Sequence, residues 1–412
     1  MKPFKMIASV VGVLVGLGLV VNGYAGEKGN AKGAAVDEET KKFIEAGLRP
    51  FEPKLLWEKK FKEQVCQVDV AKESGDVIVS TSGFKKNLSD TVYLFDKTGK
   101  VLWRQGPMEK IHKPWNAHIS DKGQIITYDM IDWNTYFTVV FYVDRNNKEW
   151  WHKAFPGASH LSPDGSWVVV APSGGTGKAV IILNDKEEVV LNKEYYWAGG
   201  AEVRFSENSQ YVAVMDTRYV YDQNIYWIFD RQGNIVLEFK KEQGDGVKAF
   251  AVNGLFSVAS MVPESIYNLK GEKIITGHRT TISGDGKVAI KKTRSEVETK
   301  LDVIKVAALK TLKSYHMPAS SYKRDLLKIS FNGRYIVLGP HDVYSSKVIV
   351  LDIVKGLFWK VDLVVPHYTI VSEQSPNCPW SRGVFFTKDE KYMVVHVIGE
   401  NAVHTIQYYQ LR

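Results

Sequence analysis

A two-strand pattern hinged on Ser-x-Asp/Asn-Gly returns along most of the chain and leaves few folds open. It reads "HISDKGQIITYD" from His118, "HLSPDGSWVVVA" from His160, "RFSENSQYVAVMD" from Arg204, "TISGDGKVAIKK" from Thr281, "KISFNGRYIVLG" from Lys328 and "FFTKDEKYMVVHV" from Phe385. Weaker copies are "VDVAKESGDVIVST" from Val68 and "AFAVNGLFSVAS" from Ala249. Apolar, β-branched runs on either side of a Gly/Asp cluster are strand, turn, strand. A second hairpin follows each copy, as in "VYLFDKTGKVLWRQG" (Val92 to Gly106), "VVFYVDRNNKEWWHKAF" and "IYWIFDRQGNIVLEFK". Asp and Gly there suit a tight turn that needs left-handed or side-chain-closed backbone.

Two hairpins make a four-stranded unit, and the units start roughly 40–50 residues apart, the period of a β-propeller blade. Eight units can be counted, or seven if the short one from about Ala249 is not a full blade. The eighth ends "NAVHTIQYYQLR" after its third strand, whereas "KLLWEKKF" (Lys54 to Phe61) is an outer strand with no blade of its own. Pairing the two closes the ring and removes an exposed sheet edge. The expected fold is all-β: a single propeller over residues 54–412, eight four-stranded blades with seven as the alternative, closed by an N-terminal outer strand.

Residues 1–25 are a separate object. Lys2 and Lys5 precede the apolar run Met6 to Val21, and Gly23 and Ala25 suit signal-peptidase cleavage after Ala25. Cleaved secretory signal is the main reading and a retained membrane anchor over 6–21 the other, so the rest is read as exported, periplasmic or extracellular. Residues 26–53 form a linker with a short helix at "DEETKKFIEAG". The net charge of +8 permits an anionic partner without demanding one. With no nucleic-acid motif and an exported chain, nucleic acid is not an expected partner.

"LSPDGSWVVVA" and "ISGDGKVAI" resemble the WD-like propeller repeat of exported bacterial proteins, and "FDKTGKVLW" is similar to the tryptophan-docking repeat of quinoprotein-like propellers. The resemblance covers about Lys54 to Arg412 and implies the fold more than a function, since propellers host many activities. Quinoprotein enzymes carry adjacent cysteines beside their cofactor. Cys66 and Cys378 are far apart in this sequence, so no cofactor is expected.

Those two cysteines precede the inner strands of the first and eighth units, which are neighbours in a closed ring. A disulfide there would clasp the closure, worth up to about 5 kcal/mol by chain entropy; two separate buried thiols are the alternative. "PSGGTGKAV" (Pro172 to Val180) lacks phosphate-loop spacing and joins two strands, so it is a blade connection.

Candidate chemistry gathers in two places. His118 and His160 hold one position in consecutive units, matched by Arg204, Thr281, Lys328 and Phe385. On inner strands these would ring the central channel. Arg and Lys in that ring repel cations, so no metal is expected. The connections leading into inner strands share a face with those joining the middle strands. That face collects Trp115, Trp133, Trp197 and Trp380 with Arg218, Arg294, Arg324 and Arg382, the rigid aromatics and forked donors of recognition surfaces. The stretch Val365 to Gly383 is long for a blade connection.

No local nucleophile or metal-protease motif is present in the sequence. Two functions follow. One is a binding or scaffold module using the aromatic and basic face to hold a protein, anionic or carbohydrate partner. It would touch a membrane only through an uncleaved N-terminal segment. The other is a hydrolase or lyase acting on a carbohydrate or small anionic substrate in the central funnel. It requires His118, His160, Glu202 and Arg204 to converge with shifted pKa values.

Overall fold

The middle strands of several repeats carry long apolar runs, and their burial explains why. "VIVSTS" (Val77–Ser82) and "WVVVA" (Trp167–Ala171) are buried at every residue. Only a strand covered on both faces needs such a run. Outer strands alternate instead: in Glu149–Phe155 only Trp151 and Phe155 turn inward. The computed structural model describes residues 38–82, 90–107, 112–132, 137–172, 179–194, 201–218, 223–242, 246–258, 263–295, 298–318, 325–340, 347–362, 383–398 and 403–411.

Eight sheets form the ring, and in seven of them four antiparallel strands follow in sequential order from the inside out. Blade 1 runs from Gln64–Val70 to Val101–Gln105, blade 2 from His112–Ile119 to Glu149–Phe155, blade 3 from Ala158–Leu161 to Val189–Glu194 and blade 4 from Ala201–Phe205 to Ile235–Glu242. The short blade 5 is complete: Val247–Phe250, Phe256–Val258, Glu264–Tyr267 and Lys273–Gly277. Blade 6 runs from Arg279–Ile282 to Lys310–Pro318 and blade 7 from Asp325–Ile329 to Leu357–Asp362. Blade 8 has three strands of its own, Val384–Phe386, Tyr392–Ile398 and His404–Gln410; its outer strand is Lys54–Phe61, antiparallel to His404–Gln410. The ring is therefore eight-bladed and closed by the N-terminal outer strand.

The core is distributed, with an apolar cluster at every junction between neighbouring sheets. Between blades 3 and 4, for example, Trp167, Val169 and Ile182 pack on Val212, Val214 and Phe229. Each such aliphatic side chain contributes about 1.5–3 kcal/mol when fully buried. The outer-strand tryptophans tie blade to blade. Trp57 Nε1 donates to Lys97 O in the hairpin of blade 1, and Trp103 Nε1 donates to Arg145 O in the hairpin of blade 2, both at 3.0 Å. Trp57 also stacks on Tyr408 at 5.1 Å. Gly99 lies against its indole, with φ +83° and only 2.8 Å from a built Cβ to Trp57 Cγ, so the site excludes any side chain.

One feature lies beyond the sequence pattern. After the helix Glu38–Glu45, residues Arg49–Pro50 add a fifth, parallel strand to the outer edge of blade 7, opposite Leu357 and Phe358. Phe43 of the helix stacks on Phe358 at 5.0 Å, and Leu48 is buried with it in the cluster between blades 6 and 7. The lead-in thus covers one open edge before its next strand closes the ring.

Candidate functional site

The Ser-x-Asp turns define one end of the channel. In blade 3 the Ser162 hydroxyl donates to Asp164 Oδ1 (2.8 Å) and accepts from Trp167 N (3.1 Å). Blade 6 repeats this with Ser283, Asp285 and Val288, and blade 8 with Thr387, Asp389 and Tyr392. A left-handed residue completes this turn in every blade: glycine in six, Ser209 in blade 4 and Glu390 in blade 8. The hydroxyl and carboxylate replace the backbone partners that a tight turn cannot supply. Blades 1 and 5, with Ala71 and Ala251 in place of Ser, keep the left-handed glycine, and there Ser74 Oγ accepts from Asp76 N and Asn253 Oδ1 from Leu255 N.

These turns are also bonded to one another around the whole ring. Glu73 N donates to Asp121 O, Asp121 N to Pro163 O, and Asp164 N to Ser209 Oγ. Glu207 N then donates to Phe250 O, Val252 N to Gly284 O, and Asp285 N to Phe331 O. Asn332 N donates to Glu390 Oε1 and Lys388 N to Lys72 O, which completes the eight junctions.

Across that end runs an ion pair. Lys72 of blade 1 reaches Glu207 of blade 4, at 2.7 and 2.6 Å to its two carboxylate oxygens. Lys388 of blade 8 lies 3.1 Å from Glu73 and 3.7 Å from Asp121. Burial pushes the Asp121 carboxyl up to about 6, although Lys72 pulls the other way. Burial also works against the charge of Lys72, but Glu207 and Asp121 outweigh it and its pKa is raised.

One layer further in, two residues before each turn Ser, the inner strands carry Asp69, His118, His160, Arg204, Ala249, Thr281, Lys328 and Phe385. The structure brings several together. His118 and His160 have ring centroids 5.4 Å apart, and His118 Nδ1 faces Asp69 Oδ2 at 3.4 Å. Asn116 Nδ2 donates to Ser159 O (2.7 Å) and lies 3.0 Å from His118 Nε2. Because the Ser159 carbonyl demands a donor, the amide nitrogen must point there, and Nε2 must accept. The His118 tautomer that fits these contacts carries its proton on Nδ1, toward Asp69. His160 is pushed down to about 3 by burial, with His118 and Arg204 adding to the effect. Beneath the histidines, fully buried Asp129 of blade 2 accepts from Ser159 N (2.8 Å) and Ser159 Oγ (2.5 Å), fastening blade 3 to blade 2.

The candidate residues separate accordingly. His118, His160 and Arg204 share the channel layer. Glu202, expected beside them, lies against Gly246 at the start of blade 5. Trp115 departs from the exposed face expected of it: it is 4% exposed, packed with Cys66 and Ile131, and its carbonyl accepts from Ser80 Oγ. An irregular register between Pro114 and Ala117 places it in the gap between blades 1 and 2. Arg294 is half-buried at the end of the second strand of blade 6. Arg218 ends the second strand of blade 4, with its side chain outside the described residues. Trp133, Trp197, Arg324, Trp380, Arg382 and Cys378 also lie outside them, as do residues 1–37. Cys66 itself is buried. Sequence reasoning missed Asn116 and Asp129, whose role depends on the neighbouring blade. Among the described residues no three metal-ligating side chains gather.

No protein-family model matches the chain, and no curated protein does. Solved structures do. The C-terminal WD40 domain of Sif2 is similar over 89% of this chain and 99% of its own, with a TM-score of 0.54 and 10% identity. The Dos1 propeller is similar over 87% of this chain and 95% of its own, with a TM-score of 0.53 and 12% identity. Together with the eight sheets and their hydrogen-bonded turns, these likenesses identify the fold as an eight-bladed β-propeller.

Proposed function

We propose that the chain is a non-enzymatic binding scaffold that takes a protein partner on the face opposite its Ser-x-Asp turns. The observation that carries this reading is the complete circuit of hydrogen bonds at the turn end, crossed by the Lys72–Glu207 pair. That end is a fixed base. Chain order puts the aromatic and basic connections at the other end, and function carried on loops above a rigid scaffold is the common arrangement. A catalytic channel is less well supported. A base works best with a pKa near the operating pH, whereas His160 is held near 3 and His118 has both ring nitrogens committed. We place the scaffold outside the cytoplasm on the strength of the first 25 residues. N-terminal sequencing of the chain from its source should start at Gly26; a start at Met1 would return the anchor reading.

The test for the partner compares two faces. Phe137, half exposed at the start of a blade 2 strand, is changed to Ser together with Trp197→Ala and Trp380→Ala. Lys122→Glu and Lys391→Glu, exposed on the turns, serve as the opposing set. A protein captured from the native source by the wild type and the turn variants, but lost from the first set, supports the reading. Equal capture by both sets, or loss from the turn set alone, overturns it.

A further inference from the structure

Arg204 and Lys328 occupy the same position on the inner strands of blades 4 and 7, two residues before Ser206 and Ser330. Between them in that layer stand only Ala249 and Thr281. Beyond Lys328 comes Phe385, whose ring centroid is 5.5 Å from Lys328 Nζ. From blade 4 round to blade 8 the layer therefore holds two cations and no carboxylate.

The nearby acids are committed elsewhere. Asp69 accepts from Val70 N (2.8 Å) and Ile119 N (3.3 Å) and faces His118. Glu202 lies against Gly246, and Glu207 is held by Lys72. Arg204 gives only Nε to Val247 O, at a long 3.4 Å. Among the described residues no carboxylate pairs with Arg204 or Lys328. The two charges feel each other across the channel: burial first, then Arg204, pull Lys328 down to about 8. Two cations in one channel layer with no carboxylate to pair them are costly until an anion joins them.

We infer that the central channel binds a small oxyanion of the phosphate or carboxylate class between Arg204 and Lys328. The guanidinium supplies a planar fork of donors and the ammonium a point charge, the combination suited to a trigonal or tetrahedral oxyanion. The site needs no protein partner and stands apart from the loop-face reading.

Calorimetric titration with inorganic phosphate, and separately with succinate, tests this on the wild type, Arg204→Gln, Lys328→Met and the exposed turn variant Lys122→Glu. At least one anion should bind the wild type at millimolar concentration. Each channel variant should weaken it by about tenfold or more, as expected for losing a charge-assisted contact, and Lys122→Glu should leave it unchanged. Without anion, Lys328→Met should melt no lower than the wild type, because it removes an isolated charge; lost binding is then read on a folded protein. Succinate affinity should fall as pH rises through about 8 in the wild type, where Lys328 gives up its proton, and stay level in Lys328→Met. Failure of both anions to bind the wild type, equal binding by the variants, or the same pH profile in Lys328→Met would overturn the inference.

Discussion

Two layers of side chains on the inner strands lie two residues apart in sequence and follow opposite rules. The turn layer is nearly uniform, with Ser or Thr in six blades, an acid or amide two residues on in five of these, and a left-handed residue after that. The channel layer changes in almost every blade: Asp69, the two histidines, Arg204, Ala249, Thr281, Lys328 and Phe385. The uniform layer solves one problem eight times, the closing of a tight turn without unpaired backbone groups. The variable layer faces the channel, where packing imposes little. Its residues are therefore where a specific ligand can be recognised. The difference separates what builds the ring from what the ring presents.

The comparison is broken most severely by opening the ring. A chain beginning at Lys62 leaves the strand His404–Gln410 without its outer antiparallel neighbour and removes Trp57 from the stack on Tyr408. Blades 8 and 1 then share no outer cover, and the circuit of turn hydrogen bonds loses its frame. Loss of a single cooperative thermal transition is expected, checked by calorimetry. A sharp, unshifted transition would show that the turn circuit holds the ring without its closing strand.

Next in size is the anchor beneath the histidines. Asp129→Ala strands the N–H and hydroxyl of buried Ser159 and should cost about 3 kcal/mol in denaturant unfolding. Asp129→Asn keeps an acceptor and should cost far less. The pair also differs from the wild type in its pH response. Burial pushes Asp129 up from 3.8 to about 6, so the folded chain keeps a proton that the unfolded chain has released. Its contribution to stability falls as pH rises through that window, and Asp129→Asn should remove that contribution and uncover the opposite pH response of His160. Equal costs for Ala and Asn would mean that Ser159 does not depend on this carboxylate.

His160 acts in the opposite direction. The folded chain keeps it neutral down to about 3, while the unfolded chain takes up a proton below 6.5, so stability falls as pH falls between those values. Over the shared range the two groups offset each other in the wild type. His160→Asn should melt close to the wild type at pH 7 and above it at pH 4.5. A wild-type-like acid profile in His160→Asn would show that the channel layer does not report on folding.

The turn layer was readable from sequence because its chemistry is local: Ser162, Asp164 and Gly165 meet within one turn, so their spacing alone shows it. The closure was readable too, since "KLLWEKKF" has the composition of an outer strand and no blade of its own. Other features were hidden for physical reasons. Arg49–Pro50 is too short to show any period, and its sheet contact comes from the lead-in helix packing on Phe358. Lys72 and Glu207 meet only because blades 1 and 4 face each other across the channel. The one available signal was opposite charge at the same turn position. Trp115 sits in "HKPWNAH", which reads as a connection, yet it belongs to the strand His112–Ile119 and turns inward at a register irregularity.

The smallest effect sharpens the meaning of a left-handed residue. Leu309 (φ 49°) and Glu390 (φ 56°) both occupy backbone that favours glycine, which costs an ordinary L-residue about 1–2 kcal/mol. Leu309 is 58% exposed in the hairpin of blade 6, so Leu309→Gly should stabilise the protein by about 1 kcal/mol. Glu390 is 6% exposed, and its carboxylate accepts from Ser330 Oγ (2.5 Å) and Asn332 N (2.9 Å), the bonds that join blade 7 to blade 8. Glu390→Gly relaxes the same backbone but leaves Ser330 and Asn332 without that acceptor, so a net loss is expected from the same unfolding measurement. Opposite signs would mean that the blade 8 turn tolerates its strained backbone for the sake of the contact across the junction. A gain at both positions would make the left-handed Glu390 a matter of local backbone alone.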